Sequence, residues 1–277
     1  MSFWNTPYNQ LAFKASHNSY LSAYDLHRLL SWDNSRPSDF GCRGLEIDFS
    51  RHSDSSGGRS IGFFQVGHPE GASGPPLALY LGELLSYHFN NRGHDPVLVT
   101  LCIKSQDGPV DVFPQELDAY LEEWFYRPAI FSPGNLIVQG LDLVSAVRSK
   151  GWPLAEDLRD RFILCLSGTK EWKAQYANSS PPFRLCFADL DFSDDTPNPV
   201  IPETGNRIIA NMNLFTDHFH YWKYAVPQLR RQSFLVRGYV VDSAELWAKA
   251  RSAEVNAIAT DDVQGSHWAS VGSSLFV

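Results

Sequence analysis

Short apolar runs rich in β-branched and aromatic residues recur along the whole chain, and segments with helical apolar spacing separate most of them. Strands that alternate with helices predict a mostly parallel sheet with helices outside it. We predict strands at about 10–16, 43–48, 62–67, 96–103, 161–167, 183–188, 206–212, 234–241 and 256–260. Predicted helices lie near 22–31, 76–90, 114–125, 139–149, 218–231 and 243–253.

The number of strands selects between two α/β architectures. If the run at 62–67 is a hairpin-like excursion after the second strand, eight strands remain, and eight strands fit a closed (β/α)8 barrel. The alternative is an open, doubly wound sheet, but neither Gly-x-Gly-x-x-Gly nor Gly-x-x-x-x-Gly-Lys follows any strand. We therefore predict one α/β TIM-type barrel domain over residues 1–277, with an extra strand after the second strand and loops at 51–61 and 191–205.

Composition excludes some partners. The net charge of -8 argues against nucleic acid, whose binding depends on Lys and Arg, but it leaves room for a small phosphorylated substrate. The four cysteines contain no Cys-x-x-Cys pair, so they suggest neither a zinc site nor a disulfide scaffold, and we expect Cys165 and Cys186 to be small buried side chains. The chain has no basic, apolar leader and no spanning apolar run, so we expect a soluble protein, cytoplasmic or secreted after loss of a signal.

Polar residues stand at the ends of all the predicted strands. In a TIM-type barrel the carboxyl ends of the strands line the active site, so this pattern predicts a polar site at one end of the barrel. The strand ends read Ser16-His17-Asn18, Glu46-Ile47-Asp48, Gly67-His68, Cys102-Ile103-Lys104, Ser167-Gly168, Asp189-Leu190-Asp191, Asn211-Met212-Asn213, Arg237-Gly238-Tyr239 and Thr260-Asp261-Asp262.

Two carboxylates stand two residues apart at the end of the second strand. Alternate strand residues share a face, so Glu46 and Asp48 point the same way and repel each other unless a positive charge lies between them. A hard divalent cation, calcium or magnesium, would supply that charge. The alternatives are that the carboxylates face solvent or pair with Arg43 or Arg51.

Two histidines also close strands. His17 and His68 have the right chemistry for a general acid–base pair near neutral pH, and Asn18 offers an amide oxygen to the same cation. A single histidine is more often structural. We assign that role to the remaining seven, which are His27, His52, His88, His94, His218, His220 and His267.

Cationic side chains at two further strand ends predict phosphate binding. Lys104 ends one strand and Arg237, which shares a face with Tyr239, ends another. Cations placed there would stabilise charge on the phosphate oxygens. The alternative for Lys104 is a solvated strand terminus.

These motifs together resemble a known family. The run from Ala15 to Leu21, the run from Gly41 to Asp48 and the strand that ends in His68 are similar to the X region of phosphatidylinositol-specific phospholipase C, in its calcium-dependent form. The similarity is at motif level over about residues 10–105. It continues more loosely to Lys104 and to residues 237–242, and residues 259–262 resemble the last strand of glycerophosphodiester phosphodiesterases.

The resemblance implies a (β/α)8 barrel that cleaves a phosphodiester with a divalent cation, calcium before magnesium. It implies catalytic roles for His17 and His68, calcium ligands at Asn18, Glu46 and Asp48, and a phosphodiester lipid or its headgroup as substrate. The alternatives are a glycerophosphodiesterase and a non-catalytic headgroup-binding barrel. Transient contact with a membrane surface is left open. Its candidates are aromatic residues that we expect mostly in the core, namely Trp124, Phe125, Tyr126, Phe131, Trp152, Phe215, Phe219, Tyr221 and Trp222.

One position departs from the family pattern. The family motif before the strand-end lysine resembles Leu-Glu-x-Lys, with the glutamate as a metal ligand, whereas this chain has Cys102 two residues before Lys104. A thiol is a soft ligand and suits calcium poorly. Four explanations remain open: a more weakly held ion, another acid such as Glu70 or Asp191, a different metal, or lost activity.

Overall fold

Eight parallel strands close into a barrel in the computed structural model, which describes residues 3–36, 38–54, 61–68, 74–190, 201–214, 219–271 and 276. The order around the barrel confirms the predicted (β/α)8 architecture. The barrel strands are β1 (Phe13–Ser16), β2 (Gly44–Asp54), β4 (Val97–Gln106), β5 (Phe162–Gly168), β6 (Phe187–Leu190), β7 (Ile209–Asn213), β8 (Leu235–Tyr239) and β9 (Ala257–Thr260).

The barrel closes at a narrow seam between β1 and β2. A single register pair, Ala15 with Gly44, joins these two strands, whereas β1 and β9 pair over four residues. The backbones approach closely at this point, because a Cβ added to Gly44 would lie 2.6 Å from the Cβ of Ala15. Glycine is therefore required where the barrel closes.

The extra strand, β3 (Ile61–Val66), runs antiparallel to the outer half of β2. This pairing confirms the hairpin-like excursion, but the loop predicted from residue 51 was wrong over its first four residues, because β2 continues to Asp54. The polar residues of that extension are stabilised by their neighbours. Arg51, buried, pairs with Glu116 at 2.7 Å. Residues 55–60 lie outside the described part of the chain.

Seven α-helices are seen in the described ranges: α1 (Leu26–Leu30), α2 (Leu77–Asn90), α3 (Phe113–Trp124), α4 (Leu143–Lys150), α5 (Lys170–Asn178), α6 (Phe219–Arg231) and α7 (Ala244–Ser252). Sequence periodicity missed α5, because one position of its buried face is Lys173, whose ammonium pairs with Asp189 inside the protein. Helix α1 is shorter than predicted, since Asp25 caps it by accepting from the Arg28 N–H. Within these ranges no helix has the length and apolar character needed to cross a membrane.

Strand side chains divide between two environments. On β2, Leu45 and Ile47 are buried against the helices, with Leu81 and Leu84 of α2 in the same apolar cluster. Glu46 and Asp48 occupy the alternate positions and point the other way, into the barrel. The four cysteines are buried and unpaired, as expected for Cys165 and Cys186.

Candidate active site

Two buried carboxylates mark the carboxyl end of the barrel, on β2. Glu46 and Asp48 are 4% and 1% exposed, which rules out the solvent-facing alternative. The other alternative is also wrong, because Arg43 pairs with Asp95 and Arg51 pairs with Glu116. The carboxylates instead pair with cations on other strands, Glu46 with Arg237 and Asp48 with Lys104.

Glu46 is the centre of a network that joins β2 to β8 and to the turn after β1. One of its carboxylate oxygens, Oε2, lies 2.8 Å from Nη2 of Arg237 on β8. The same oxygen accepts from the backbone N–H of Asn18 at 3.3 Å and lies 3.5 Å from Nε2 of His17. Burial by itself would raise the pKa of Glu46, but Arg237 and His17 outweigh burial and lower it. Glu46 is therefore ionised in the folded protein.

Asp48 has a different surrounding. Its Oδ2 atom accepts from the Tyr20 hydroxyl at 2.9 Å and lies 3.1 Å from Nζ of Lys104. Its Oδ1 atom is buried and has no hydrogen-bond partner among the residues that the structure describes. Burial and the neighbouring charge of Glu46 raise the pKa of Asp48, against the effect of Lys104. A further cation beside Oδ1 would satisfy an oxygen that otherwise carries an unmet desolvation cost.

His17 follows β1 and is held from both sides. Its Nδ1 atom lies 3.1 Å from the carboxylate of Asp261, which follows β9, and the ring stacks on Tyr239 with 5.6 Å between centroids. A carboxylate at Nδ1 favours the tautomer with the proton there, which leaves Nε2 as the basic atom on the side of Glu46. Sequence reasoning noted the polar end of β9 but gave Asp261 no role. The resemblance of residues 259–262 to the last strand of glycerophosphodiester phosphodiesterases was the signal that could have pointed to Asp261.

Asn18 turns the chain immediately after His17. Its backbone has φ of 46° and ψ of 46°, a left-handed conformation that Asn tolerates better than most residues. This turn presents the Asn18 N–H to Glu46 and brings the Ser19 hydroxyl to the backbone N–H of Glu46 at 2.9 Å. The Asn18 side-chain amide lies 3.1 Å from Nδ1 of His17. The turn thus fixes the first strand end against the second.

His68 reaches the same end of the barrel by another route. The strand that precedes it, β3, is antiparallel, so its end is not equivalent to a barrel strand end as the sequence argument assumed. The strand starts opposite Asp54 and runs back along β2 towards Asp48, and the Gly67 N–H donates to the Asp48 carbonyl at 3.1 Å. His68 is exposed and follows directly. A catalytic role for His68 stays a prediction.

The two predicted phosphate-binding cations have different settings. Lys104, on β4, is partly exposed and lies against Asp48, so the solvated-terminus alternative is wrong. Arg237 is 1% exposed, and besides Glu46 it donates from Nη1 to the Asn211 side chain at 2.7 Å. Its guanidinium carbon lies 5.3 Å from the ring centroid of Tyr239. Arg237 is therefore a buried ion-pair partner of Glu46. Phosphate binding by either cation stays a prediction.

Cys102 occupies the position where the family motif has a glutamate. Its sulfur and the carboxylate oxygens of Glu46 and Asp48 lie within 4.8 Å of one another. Burial raises the pKa of Cys102 to about 12, so at neutral pH it is a thiol rather than a thiolate. Of the acids suggested to replace the glutamate, Glu70 and Asp191 lie outside the described residues. Asp189 is buried nearby on β6, but it already accepts from Ser167 at 2.5 Å and from Lys173.

The donor set fits a divalent cation in part. Two ionisable carboxylates stand side by side, one of them with an unpartnered oxygen among the described residues, and the side-chain amide of Asn18, on the adjoining turn, lies against the His17 ring. These are oxygen donors of the kind that calcium and magnesium take. Cys102 adds no oxygen, so the site has one ligand fewer than the motif it resembles.

The aromatic residues considered for a membrane rim are mostly in the core, as expected. Phe125, Phe131, Trp152 and Trp222 are buried. Trp124 and Tyr126 are exposed, but they lie at the end of α3 and just after it, near the end of the barrel opposite the carboxylates. Phe215 and the side chains of Phe219 and Tyr221 lie outside the described residues.

Comparison with known proteins gives matches among solved structures only. The chain matches no protein-family model and no curated protein. A calcium-dependent phosphoinositol-specific phospholipase C from the Gram-negative bacterium Pseudomonas sp superposes with a TM-score of 0.76 at 20% identity, over 100% of this chain and 96% of the other. The same enzyme in complex with myoinositol gives 0.76 at 21% identity, over 100% and 96%.

Two more distant structures share the barrel. A calcium-dependent phosphatidylinositol-specific phospholipase C from Streptomyces antibioticus has a TM-score of 0.67 at 18% identity, over 92% of this chain and 95% of the other. A phosphodiesterase from Oleispira antarctica, in complex with sn-glycerol-3-phosphate, has 0.52 at 12% identity, over 95% and 98%. At these identities the similarity confirms the fold, and the two kinds of protein are those that the motifs resemble.

Proposed function

We propose that this protein is a phosphodiesterase of the phosphatidylinositol-specific phospholipase C type, which cleaves the phosphodiester of an inositol lipid or its headgroup with the help of a divalent cation. The observation that carries the proposal is the grouping of His17, Asp261, Glu46 and Asp48 at the carboxyl end of a (β/α)8 barrel. Catalytic groups in this fold lie at that end.

His17 is the proposed general base. Asp261 holds Nδ1, so Nε2 accepts the proton of the attacking hydroxyl group, which is the inositol 2-hydroxyl if the product is a cyclic phosphate. Asp261 then stabilises the imidazolium that forms. His68, on the exposed turn beside Asp48, is the proposed acid that protonates the leaving alkoxide.

The remaining residues handle negative charge. Lys104 is the proposed phosphate ligand, since its ammonium is partly exposed next to Asp48. Asn18, Glu46 and Asp48 would hold the cation, calcium before magnesium, and a bound cation lowers the pKa of the hydroxyl group and neutralises phosphate charge. Arg237 keeps Glu46 ionised and oriented. Tyr239 is proposed to border the substrate, because its ring covers one face of His17.

The decisive experiment is an assay against phosphatidylinositol and glycerophosphoinositol with calcium, with magnesium and with a chelator. We expect cation-dependent turnover and a cyclic phosphate in the phosphorus NMR spectrum. His17→Ala should lower turnover by about 10²–10⁴-fold. His27→Ala, which removes a histidine on α1 whose ring contacts Tyr87 and Asn91, should leave turnover unchanged. A monoester as the first product would point to water as nucleophile and to the glycerophosphodiesterase alternative.

A second candidate, a headgroup-binding barrel without catalysis, is favoured by one observation: Cys102 in place of the glutamate. Calcium titration separates the two. Tight calcium binding with no hydrolysis across a panel of phosphodiesters would rule out the proposed enzyme.

A further inference from the structure

A second cluster of titratable side chains lies at the opposite end of the barrel, where β4 and β5 begin. His88 stands in the last turn of α2, His94 lies in the loop before β4, and Asp160 comes just before β5. Both histidines are buried. The donor atoms of the three side chains lie within 4.8 Å of one another. No sequence motif marks this cluster, since the three residues come from two separate loops and a helix end.

The hydrogen bonds fix the protonation of both rings. Arg92 can only donate, and its Nη1 lies 2.6 Å from Nε2 of His88, so that nitrogen carries no proton. His88 therefore donates from Nδ1 to Nε2 of His94 at 3.0 Å. His94 in turn donates from Nδ1 to the Asp95 carbonyl at 2.7 Å. Both rings are neutral, and burial lowers the pKa of each, which is the state in which histidine binds metals.

His94 is arranged as metal-ligating histidines usually are. A backbone carbonyl holds one ring nitrogen and leaves the lone pair of the other facing into the cluster. The carboxylate of Asp160 lies 3.9 Å from that nitrogen and is itself held by the backbone N–H groups of Gly93 and His94. The Phe162 ring packs 5.2 Å from the His94 ring and 6.1 Å from the His88 ring.

The spacing of the donors suits a tetrahedral ion. Ligands at about 2.0–2.1 Å from zinc lie roughly 3.3–3.4 Å apart. The two ring nitrogens are 3.0 Å apart and the carboxylate oxygen is 3.9 Å from one of them, so small shifts bring all three to that spacing. A surface cleft of about 430 Å³, lined by Arg92, His94 and Asp95 among others, borders the cluster at His94.

We propose that His88 Nδ1, His94 Nε2 and Asp160 Oδ1 form a zinc site, with water as the fourth ligand. Two imidazoles and one carboxylate favour zinc over calcium, whose ligands are oxygens. When zinc binds, the His88 proton moves from Nδ1 to Nε2, and the exposed Arg92 side chain leaves that nitrogen. The ion ties the end of α2 to the starts of β4 and β5.

The test is zinc titration of the untagged, chelator-treated protein by calorimetry, together with its thermal unfolding midpoint with and without zinc. We expect one zinc ion at this site and a higher midpoint in its presence. His94→Gln and His88→Gln should weaken binding by at least about tenfold, and Asp160→Asn by about tenfold. His27→Gln, outside the cluster, and Cys102→Ser, at the other end of the barrel, should leave this binding unchanged.

Arg92→Ala separates a metal site from a purely structural hydrogen-bond relay. Because Arg92 holds His88 in the tautomer that cannot bind through Nδ1, its removal should tighten zinc binding, whereas Arg127→Ala, which removes another exposed arginine, should not. If a histidine variant does not fold, the zinc affinities of Asp160→Asn and Arg92→Ala test the proposal, because both side chains reach the surface. Absence of zinc binding by the wild type, or zinc affinity indifferent to Asp160→Asn and Arg92→Ala, overturns the proposal.

Discussion

Both ends of this barrel carry histidines and carboxylates, but the surroundings of these side chains differ: ion pairs dominate at the carboxyl end, and neutral histidines at the amino end. At the carboxyl end, His17 lies between two carboxylates, and Glu46 and Asp48 pair with Arg237 and Lys104. At the amino end, His88 and His94 face each other inside a shell that includes Phe162, and both are neutral. The difference teaches that neighbours, rather than residue type, decide whether a histidine cluster can move protons or only hold a ligand.

The largest expected effect comes from removing the base of the carboxyl end. His17→Ala should lower turnover by about 10²–10⁴-fold, the usual contribution of a general base, while the thermal midpoint stays close to that of the wild type. The measurement is steady-state hydrolysis of phosphatidylinositol. The corresponding change at the amino end, His94→Gln, should leave turnover intact. Equal losses in both variants would mean that the two ends are not distinct.

Next in size is the ion pair inside the barrel. Arg237→Met leaves Glu46 buried without its cation and should reduce the free energy of unfolding by about 3–5 kcal/mol. The double variant with Glu46→Leu should regain most of that loss, because both charges are then gone. Urea unfolding of the two variants measures this. A double variant no more stable than Arg237→Met would show that the pair is not what stabilises the site.

The orientation of His17 is expected to matter less than its presence. Asp261→Asn keeps the ring in place but weakens the preference for the proton on Nδ1, and since the Asp261 side chain is 51% exposed, we expect a loss of turnover of about 10–100-fold. The pH–rate profile should change with it. Asp262→Asn, one residue further along, is the matched control and should behave as wild type.

A smaller effect is expected where the chain departs from the family pattern. Cys102→Glu supplies the missing oxygen ligand and should raise calcium affinity by about tenfold, whereas Cys102→Ser should not. The variant should also be less stable than wild type without calcium, because it adds a third buried acid. Unchanged affinity in Cys102→Glu would place the cation elsewhere.

The smallest expected effect is a pH dependence of the free energy of unfolding that arises from the two histidines at the amino end. The folded-state pKa of His88 and of His94 is lowered, so below about pH 6.5 the unfolded chain binds more protons than the folded one. The zinc-free protein should therefore lose stability as the pH falls from about 7 towards 5, and the slope should be shallower in His88→Gln. Urea unfolding at several pH values checks this. An identical slope in that variant would contradict neutral histidines in this cluster.

Periodicity and strand-end polarity were enough to predict the barrel and the grouping of several candidate site residues at one end of it. The alternation on β2 placed Glu46 and Asp48 inside, and the polar ends placed His17 beside them. Contacts between distant segments were beyond that reasoning. The pairing of Asp261 with His17 joins residues 244 positions apart, and α5 was missed because Lys173 occupies its buried face. His88 and His94 were assigned structural roles, because a lone histidine in a sequence does not show which residues the fold brings next to it.

The narrow seam at Ala15 and Gly44 gives the carboxyl end a mechanical property. His17 and Asn18 follow β1 on one side of the seam, and Glu46 and Asp48 lie on β2 on the other side. The backbones of these two strands pair at one position only, so side-chain contacts such as that between Ser19 and Glu46 also hold them together. A ligand bound by residues from both sides of the seam would stabilise the pairing of β1 with β2. Occupation of the site should therefore slow hydrogen exchange of the β1 amides, because the ligand adds contacts across the weakest junction of the closed barrel.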